Sequence, residues 1–436
     1  MKKLYSVILM VVLFIMGLNS LLTAQDNTTV PQVIIGNGGR FESGPPYYDY
    51  VTMASYDPAS HTYILFDTIY TQSVQDILVT GHYAYVAAQD SIVKYDLNTL
   101  QRLAIVADSG MDKLGLFGDK LIVSKGFPVK RFFVEILDAN TLALFSLIDN
   151  ISGDCAGVLA TSDSVYVAVN GGYQGTEGKI AVINPTSWTL SHEINFGTDA
   201  VGIWSLFGYG GFIYSVNSTP GGSLVGSITQ CDIGTETFTN FILNVVVGYG
   251  IGIQGTLLYA IFNNGIGSYD LNTNLIADTV VVRDPGLAHH IYIMAAALDY
   301  VNNDFYLNVG NYTANGKGVE TTIQGDSITA FNEGISANVI GIEFLTPEGI
   351  SSGTSQNDIV KLSPNPVNNS LKVSFKDQEE PRSIKILDVT GQTIYTSDLR
   401  GNEKSVIINT SSFPPGVYFL SLNTNNGTST KKFIKQ

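Results

Sequence analysis

The sequence predicts an all-β fold: a seven-bladed β-propeller followed by a small C-terminal β-sandwich. Three observations carry that expectation. Helical periodicity is nearly absent from the long central region. Strand-like stretches recur there at roughly 40 to 50 residues, a spacing that signals propellers and solenoids. Turns bearing Asp or Asn recur with them. Composition agrees: of 436 residues, 44% are hydrophobic, 11% aromatic and only 14% charged, with 44 glycines. Such a chain suits many short strands and argues against disorder or coiled coil.

The clearest marker is the second strand of each unit. It reads Ala84-Tyr85-Val86, Leu121-Ile122-Val123, Val165-Tyr166-Val167, Phe212-Ile213-Tyr214, Leu257-Leu258-Tyr259 and Phe305-Tyr306-Leu307. The hairpin after the third strand recurs at Asp57, Asp96, Asp138, Asn184, Asp232 and Asp270, with a looser copy at Gln324-Gly325-Asp326-Ser327. Asp and Asn suit these turns because their side chains bond back to the backbone. Seven turns imply seven blades, and closing the ring buries faces that one small sheet cannot bury alone. The first blade starts at its second strand, Val33-Ile34-Ile35, without an innermost strand before it. The stretch Ala337–Phe344 is expected to supply that strand and close the ring.

The ends carry different signals. Lys2 and Lys3, the apolar run Val7–Leu18 and the small Ala24 form an expected export signal over residues 1–24. The run is short for a membrane span, and no cysteine near the cut offers a lipid anchor. The propeller is expected over 25–345, a polar Gly/Ser linker over 346–357 and a second module over 358–436. Charge changes sign between them. From Gln25 to Thr354, 11 Lys and Arg face 31 Asp and Glu, whereas from Asp358 onward 10 face 7. The acidic body argues against nucleic acid as a partner. Cys155 and Cys231 are the two cysteines. An exported protein could pair them, but two small apolar strand residues is the favoured reading.

In the second module, Leu362-Ser363-Pro364-Asn365-Pro366 is followed by Leu371-Lys372-Val373-Ser374-Phe375 and by Ile384–Gln392. Pro415-Gly416-Val417-Tyr418-Phe419-Leu420 comes next, and the chain ends on Lys431-Lys432-Phe433-Ile434-Lys435. In this order the segments resemble the type A sorting domain of the type IX (Por) secretion system of Bacteroidetes. The resemblance implies a β-sandwich, the type IX machinery as partner, and a secreted or outer-surface location.

In a propeller, the loops entering the innermost strands and those joining second to third strands open on one face, where function concentrates. The entries offer Asp76, Asp112, Asp154, Asp199, Tyr249 and the pair His289-His290. The other loops offer Arg40, Phe41, Tyr47, Tyr48, Lys125, Phe127, Arg131, Tyr173, Asn311 and Tyr312. Few cations on an acidic body suit carboxylate, phosphate or amide oxygens, and aromatics beside glycines suit a flat ring system or a sugar. The bland alternative is that the Asp residues cap turns and the Lys and aromatics are solvated. No zinc spacing, nucleophile elbow or EF-hand loop is present, and two Trp are too few for repeated Trp docking. Catalytic residues, a metal and a cofactor are therefore not expected.

The repeat resembles YncE-like seven-bladed propellers. Ile35-Gly36-Asn37-Gly38-Gly39, Ala54-Ser55-Tyr56-Asp57-Pro58 and Gln75-Asp76-Ile77 before Ala84-Tyr85-Val86-Ala87-Ala88 are similar to surface propellers that capture cobalamin beside an outer-membrane transporter. That resemblance implies a binding protein for a small ligand or glycan, a corrinoid being its sharpest version, with an outer-membrane transporter as a further partner. The alternatives are a propeller lyase or lactonase using His289 or His290, and a protein-interaction scaffold or adhesin.

Overall fold

The computed structural model describes residues 28–40, 49–172, 175–218, 225–286, 289–346, 360–365, 367–375, 381–388, 393–399, 403–414, 416–424 and 427–435. The expected export signal lies outside the described residues. The chain forms two compact units that divide between Pro347 and Glu348.

The first unit contains seven four-stranded antiparallel sheets. From blade 1 to blade 7 their innermost strands are Ala337–Leu345, Asp76–Thr80, Met111–Phe117, Cys155–Ala160, Ile203–Tyr209, Val247–Gln254 and Tyr292–Asp299. Each packs against the next, and Tyr292–Asp299 packs on Ala337–Leu345 to complete a circle. The second strands read as continuous apolar runs because neighbouring blades cover both faces; Val165–Val169 is buried throughout. Outer strands such as Gln101–Ala107 keep mostly exposed or half-exposed positions.

The ring closes as the repeat predicts. Thr29–Asn37 pairs antiparallel with Ala337–Leu345, placing Val33 opposite Ile342 and Ile35 opposite Ile340. The third-strand hairpins also follow the expected chemistry. Asp96 Oδ1 accepts from the Asn98 amide at 2.8 Å, and Asn184 Oδ1 accepts from Thr186 at 2.8 Å. The seventh turn departs from the pattern. There the Thr322 hydroxyl oxygen accepts from the Gln324 and Asp326 amides at 3.3 and 3.2 Å. Cys155 and Cys231 are buried free thiols in separate apolar clusters.

The second unit is a sandwich of a three-stranded and a four-stranded sheet. Its core includes Val360, Leu371, Val373, Ile384, Ile386, Leu420 and Phe433. Asn365, from the Pro-Asn-Pro motif, accepts from the Ile434 amide at 2.9 Å. The opening motif and the basic tail, distant in sequence, therefore meet in space.

Candidate functional site

Six of the seven innermost strands carry an extra residue near their entry. The register breaks fall at Asp112–Lys113, Ala156–Gly157, Trp204, Gly248–Tyr249, Met294 and Asn338. A β-bulge bends its strand and re-aims a side chain. In every one of these six blades a bulge residue lines a cavity of about 770 Å³ at the loop-face end of the central channel. The seventh contributor, Asp76, opens a strand of regular register.

The lining has two poles. Blades 2 and 3 supply Asp76, Asp112 and Lys113. Lys113 Nζ lies 3.3 Å from Asp76 Oδ1 and donates to the Gln75 carbonyl at 3.1 Å. The other Asp76 oxygen accepts from the Leu114 amide at 2.8 Å, so Asp76 also latches blade 2 to blade 3. Blades 5 to 7 supply Trp204, Phe207, Tyr249, Met294 and Tyr312. Gly248, Gly250 and Gly252 alternate beside them on blade 6, and their missing side chains make room for neighbouring groups such as Phe207 and Leu298.

Electrostatics separate the three charged groups. Burial pushes the Asp112 carboxyl up to about 6; Lys113 opposes this, while Asp76 and Asp154 add to it. Burial works against the Lys113 ammonium, but Asp76 and Asp112 outweigh it and hold its pKa above the ordinary lysine value. Burial, reinforced by Tyr312, raises the Tyr249 hydroxyl. That hydroxyl is sealed from solvent and has no partner among the described residues.

Of the residues singled out from sequence, Asp76, Asp112, Tyr249 and Tyr312 line the cavity. Asp154 lies outside the lining, but its charge adds to the rise of the Asp112 carboxyl. Its Oδ2 lies 2.4 Å from where a Cβ on Gly172 would stand. Asn311 lies beside the cavity but works as a turn, accepting from Thr313 and Ala314 at 2.9 Å each. Arg40 donates to the Thr313 carbonyl at 3.1 Å, so the loops of blades 1 and 7 do meet.

Other predicted residues lie elsewhere. Lys125 is buried and paired with Asp108 and Glu135. Burial and the adjacent Asp108 raise Glu135, against the pull of Lys125. Arg131 forms a two-pronged surface pair with Asp149 at 3.2 and 2.6 Å. Phe127 is exposed. Asp199 is exposed within the short 3-10 turn Thr198–Ala200. His289 and His290 are exposed in the turn before blade 7, with His290 Nδ1 3.4 Å from the Tyr292 hydroxyl. Phe41, Tyr47, Tyr48 and Tyr173 lie outside the described residues.

Sequence reasoning missed Trp204, Phe207, Lys113 and Met294 as lining residues. For Trp204, Lys113 and Met294 the usable signal was positional: the second or third residue of the innermost strand. A regular strand would have turned about half of these side chains away from the lumen; the bulges turn them in.

Residues 361–436 match the family described as secretion system C-terminal sorting domain. The second unit is a secretion sorting domain. It marks the chain for export by type IX secretion to the cell surface or extracellular space. No curated protein matches the chain by sequence. Among solved structures, the chain is similar to a functionally unknown protein from Desulfotomaculum acetoxidans DSM 771. Identity is 14%, coverage is 71% of this chain and 98% of that one, and the TM-score is 0.51. It is also similar to a candidate 6-phosphogluconolactonase from Bacteroides fragilis NCTC 9343, at 12% identity, 72% and 98% coverage, and a TM-score of 0.51. The WD40 repeats of RRP9 align at 11% identity, 61% and 82% coverage, and a TM-score of 0.48. At such identities the first two likenesses bear on the fold alone.

Proposed function

We propose that the sorting domain delivers a propeller that binds a small ligand in the loop-face end of its channel, without turning it over. The observation that supports this is the cavity itself: about 770 Å³, built by bulges in six blades and lined by an aromatic and a charged pole. A concave site with several aromatics and a few convergent polar groups suits a drug-sized ligand. A binding reading is favoured over a catalytic one because both histidines offered as an acid or base lie in an exposed turn outside the lining.

A flat corrinoid remains the sharpest version suggested by the resemblance to cobalamin-capture propellers, with delivery to an outer-membrane transporter as its purpose. A lactonase or lyase reading would instead rest on Asp112, whose raised carboxyl suits a general acid or base near neutral pH. Isothermal titration of the purified protein against cobalamin, corrinoid precursors and surface glycans tests the proposal. Saturable heat that is lost in Trp204→Ala and Tyr249→Ala variants, with each ligand recovered unchanged, is the expected result. Absence of heat with every ligand, or conversion of any of them, would overturn it.

A further inference from the structure

We infer that the channel's ligand is an amphipathic organic cation, its protonated amine seated at Asp112 and its flat apolar body against Trp204 and Tyr249. This rests on the reading of the channel as a ligand site and adds the charge of what fills it, which turns the choice of occupant from a corrinoid or a neutral glycan to an amine.

The charge balance carries the argument. Asp76 is answered by Lys113 and by the Leu114 amide. Neither Asp112 nor Asp154 accepts a side-chain hydrogen bond from the described residues. The acidic pole therefore sets one ammonium against the carboxylates of Asp76, Asp112 and Asp154. A ligand that fills the cavity strips remaining water from Asp112. Desolvating a carboxylate without a counter-charge is costly, so a neutral occupant is disfavoured beside the ionised group. An anionic occupant fares worse, because it must draw Lys113 from Asp76 while lying beside Asp112. Two cations of the surrounding loops are already committed: Lys125 is held by Asp108 and Glu135, and Arg131 by Asp149. A cation supplies the missing partner. The opposite wall, with the faces of Trp204 and Tyr249, suits the flat apolar body that such a cation carries.

Three probes that share an indole body separate charge from shape: tryptamine, indole-3-propionamide and indole-3-propionate. Each is titrated into the intact protein by calorimetry and ligand-observed NMR at pH 7.5. Tryptamine is expected to bind about tenfold more tightly than the propionate, with the amide between them. Asp112→Asn is expected to weaken tryptamine about tenfold and to move the amide by less than about twofold. Should that variant fail to fold by circular dichroism, Asp154→Asn gives the same direction with a smaller loss. Equal or tighter binding of the propionate, abolished by Trp204→Ala, would overturn the cationic inference and leave the ligand channel standing. No binding of any probe would overturn the inference, and the channel reading would fall with it only where cobalamin, corrinoid precursors and glycans give no heat either.

Discussion

Gln32 Nε2 donates to Glu343 Oε2 across 2.9 Å, joining the first described strand to the last strand of the propeller. Glu343 is 1% exposed. Its other oxygen lies 3.0 Å from His82 Nδ1 on blade 2. Gln32 in turn accepts from the Ser55 hydroxyl at 2.7 Å and donates to the Leu97 carbonyl at 2.8 Å. One buried carboxylate thus ties three blade segments at the seam where the ring closes. Glu343→Ala is expected to destabilise the propeller by about 2 kcal/mol, because it strands donors that have lost their acceptor. Urea denaturation followed by tyrosine fluorescence measures this. A midpoint unchanged from the parent would show that the seam holds through backbone pairing alone.

The blade 5–6 interface depends on a side chain that is absent. A Cβ on Gly250 would stand 2.4 Å from Phe207 Cε2 and 2.9 Å from Val216 Cγ2. Gly208, by contrast, would meet only Leu159, at 3.7 Å. Overpacking costs typically about 1–3 kcal/mol. Gly250→Ala is therefore expected to lower the melting temperature clearly, and Gly208→Ala to lower it little. Because Phe207 lines the channel, Gly250→Ala should also weaken ligand binding. Comparable melting temperatures for the two variants would contradict the packing.

How far the sequence could be read follows from which interactions repeat. The Asx turns at Asp57, Asp96, Asp138, Asn184, Asp232 and Asp270 are local, so seven-fold periodicity showed through. The closing strand was legible because Val33 opened a blade with no inner neighbour. The site was legible only in part. Asp76, Asp112 and Tyr249 were found from their place at the entries to innermost strands, and Tyr312 from a loop joining second and third strands. Lys125 was misplaced because nothing in its neighbourhood reveals that Asp108 and Glu135 converge on it through the fold. Trp204 and Lys113 were missed because a bulge leaves no residue-type signature, and alternation predicts the wrong face.

Glu333 on the outer strand of blade 7 gives a pH test with a definite sign. It is 4% exposed, and neither carboxyl oxygen has a partner among the described residues. Burial alone raises its pKa from 4.5 to about 9. The folded state therefore holds a proton that the unfolded state releases between these values. Its contribution to stability is full at low pH and is lost as pH rises toward 9. Glu333→Gln removes that loss. The variant is expected to exceed the parent by roughly 2 kcal/mol at pH 8, with the gap closing near pH 4.5. Parallel stability curves between pH 4.5 and 8 would refute the assignment.

Asp112 should make both stability and ligand binding respond to acid, in opposite senses. Its carboxyl is raised to about 6, chiefly by burial, with Asp76 and Asp154 adding to the shift and Lys113 opposing it. The empty protein accordingly binds more protons than the unfolded chain between about pH 4 and 6, so this group's contribution falls as pH rises through that window. A cationic ligand prefers the ionised carboxylate. Tryptamine affinity is expected to rise about fivefold from pH 5 to pH 7, and the rise should vanish in Asp112→Asn. Calorimetry at the two pH values in buffers of different ionisation heat would also show proton release on binding. A pH-independent affinity in the parent would remove Asp112 from the site.

The last strand of the sorting domain, Gly427–Lys435, pairs along its length with Gly416–Thr424. Phe433 is fully buried, and its ring stacks with Tyr418 at 5.6 Å between centroids. The Val367 amide donates to the Ile434 carbonyl at 2.8 Å, and Asn365 Oδ1 accepts from the Ile434 amide at 2.9 Å. Whatever the secretion machinery reads, this strand holds the sandwich together around it. Phe433→Ala empties the core at a cost of about 3–5 kcal/mol, more than a small sandwich can readily absorb. In an organism with type IX secretion, the variant is expected to accumulate in the periplasm while its propeller remains folded. Cell fractionation with limited proteolysis distinguishes the outcomes. Normal surface delivery of Phe433→Ala would mean that export depends on a linear tail and not on a folded domain.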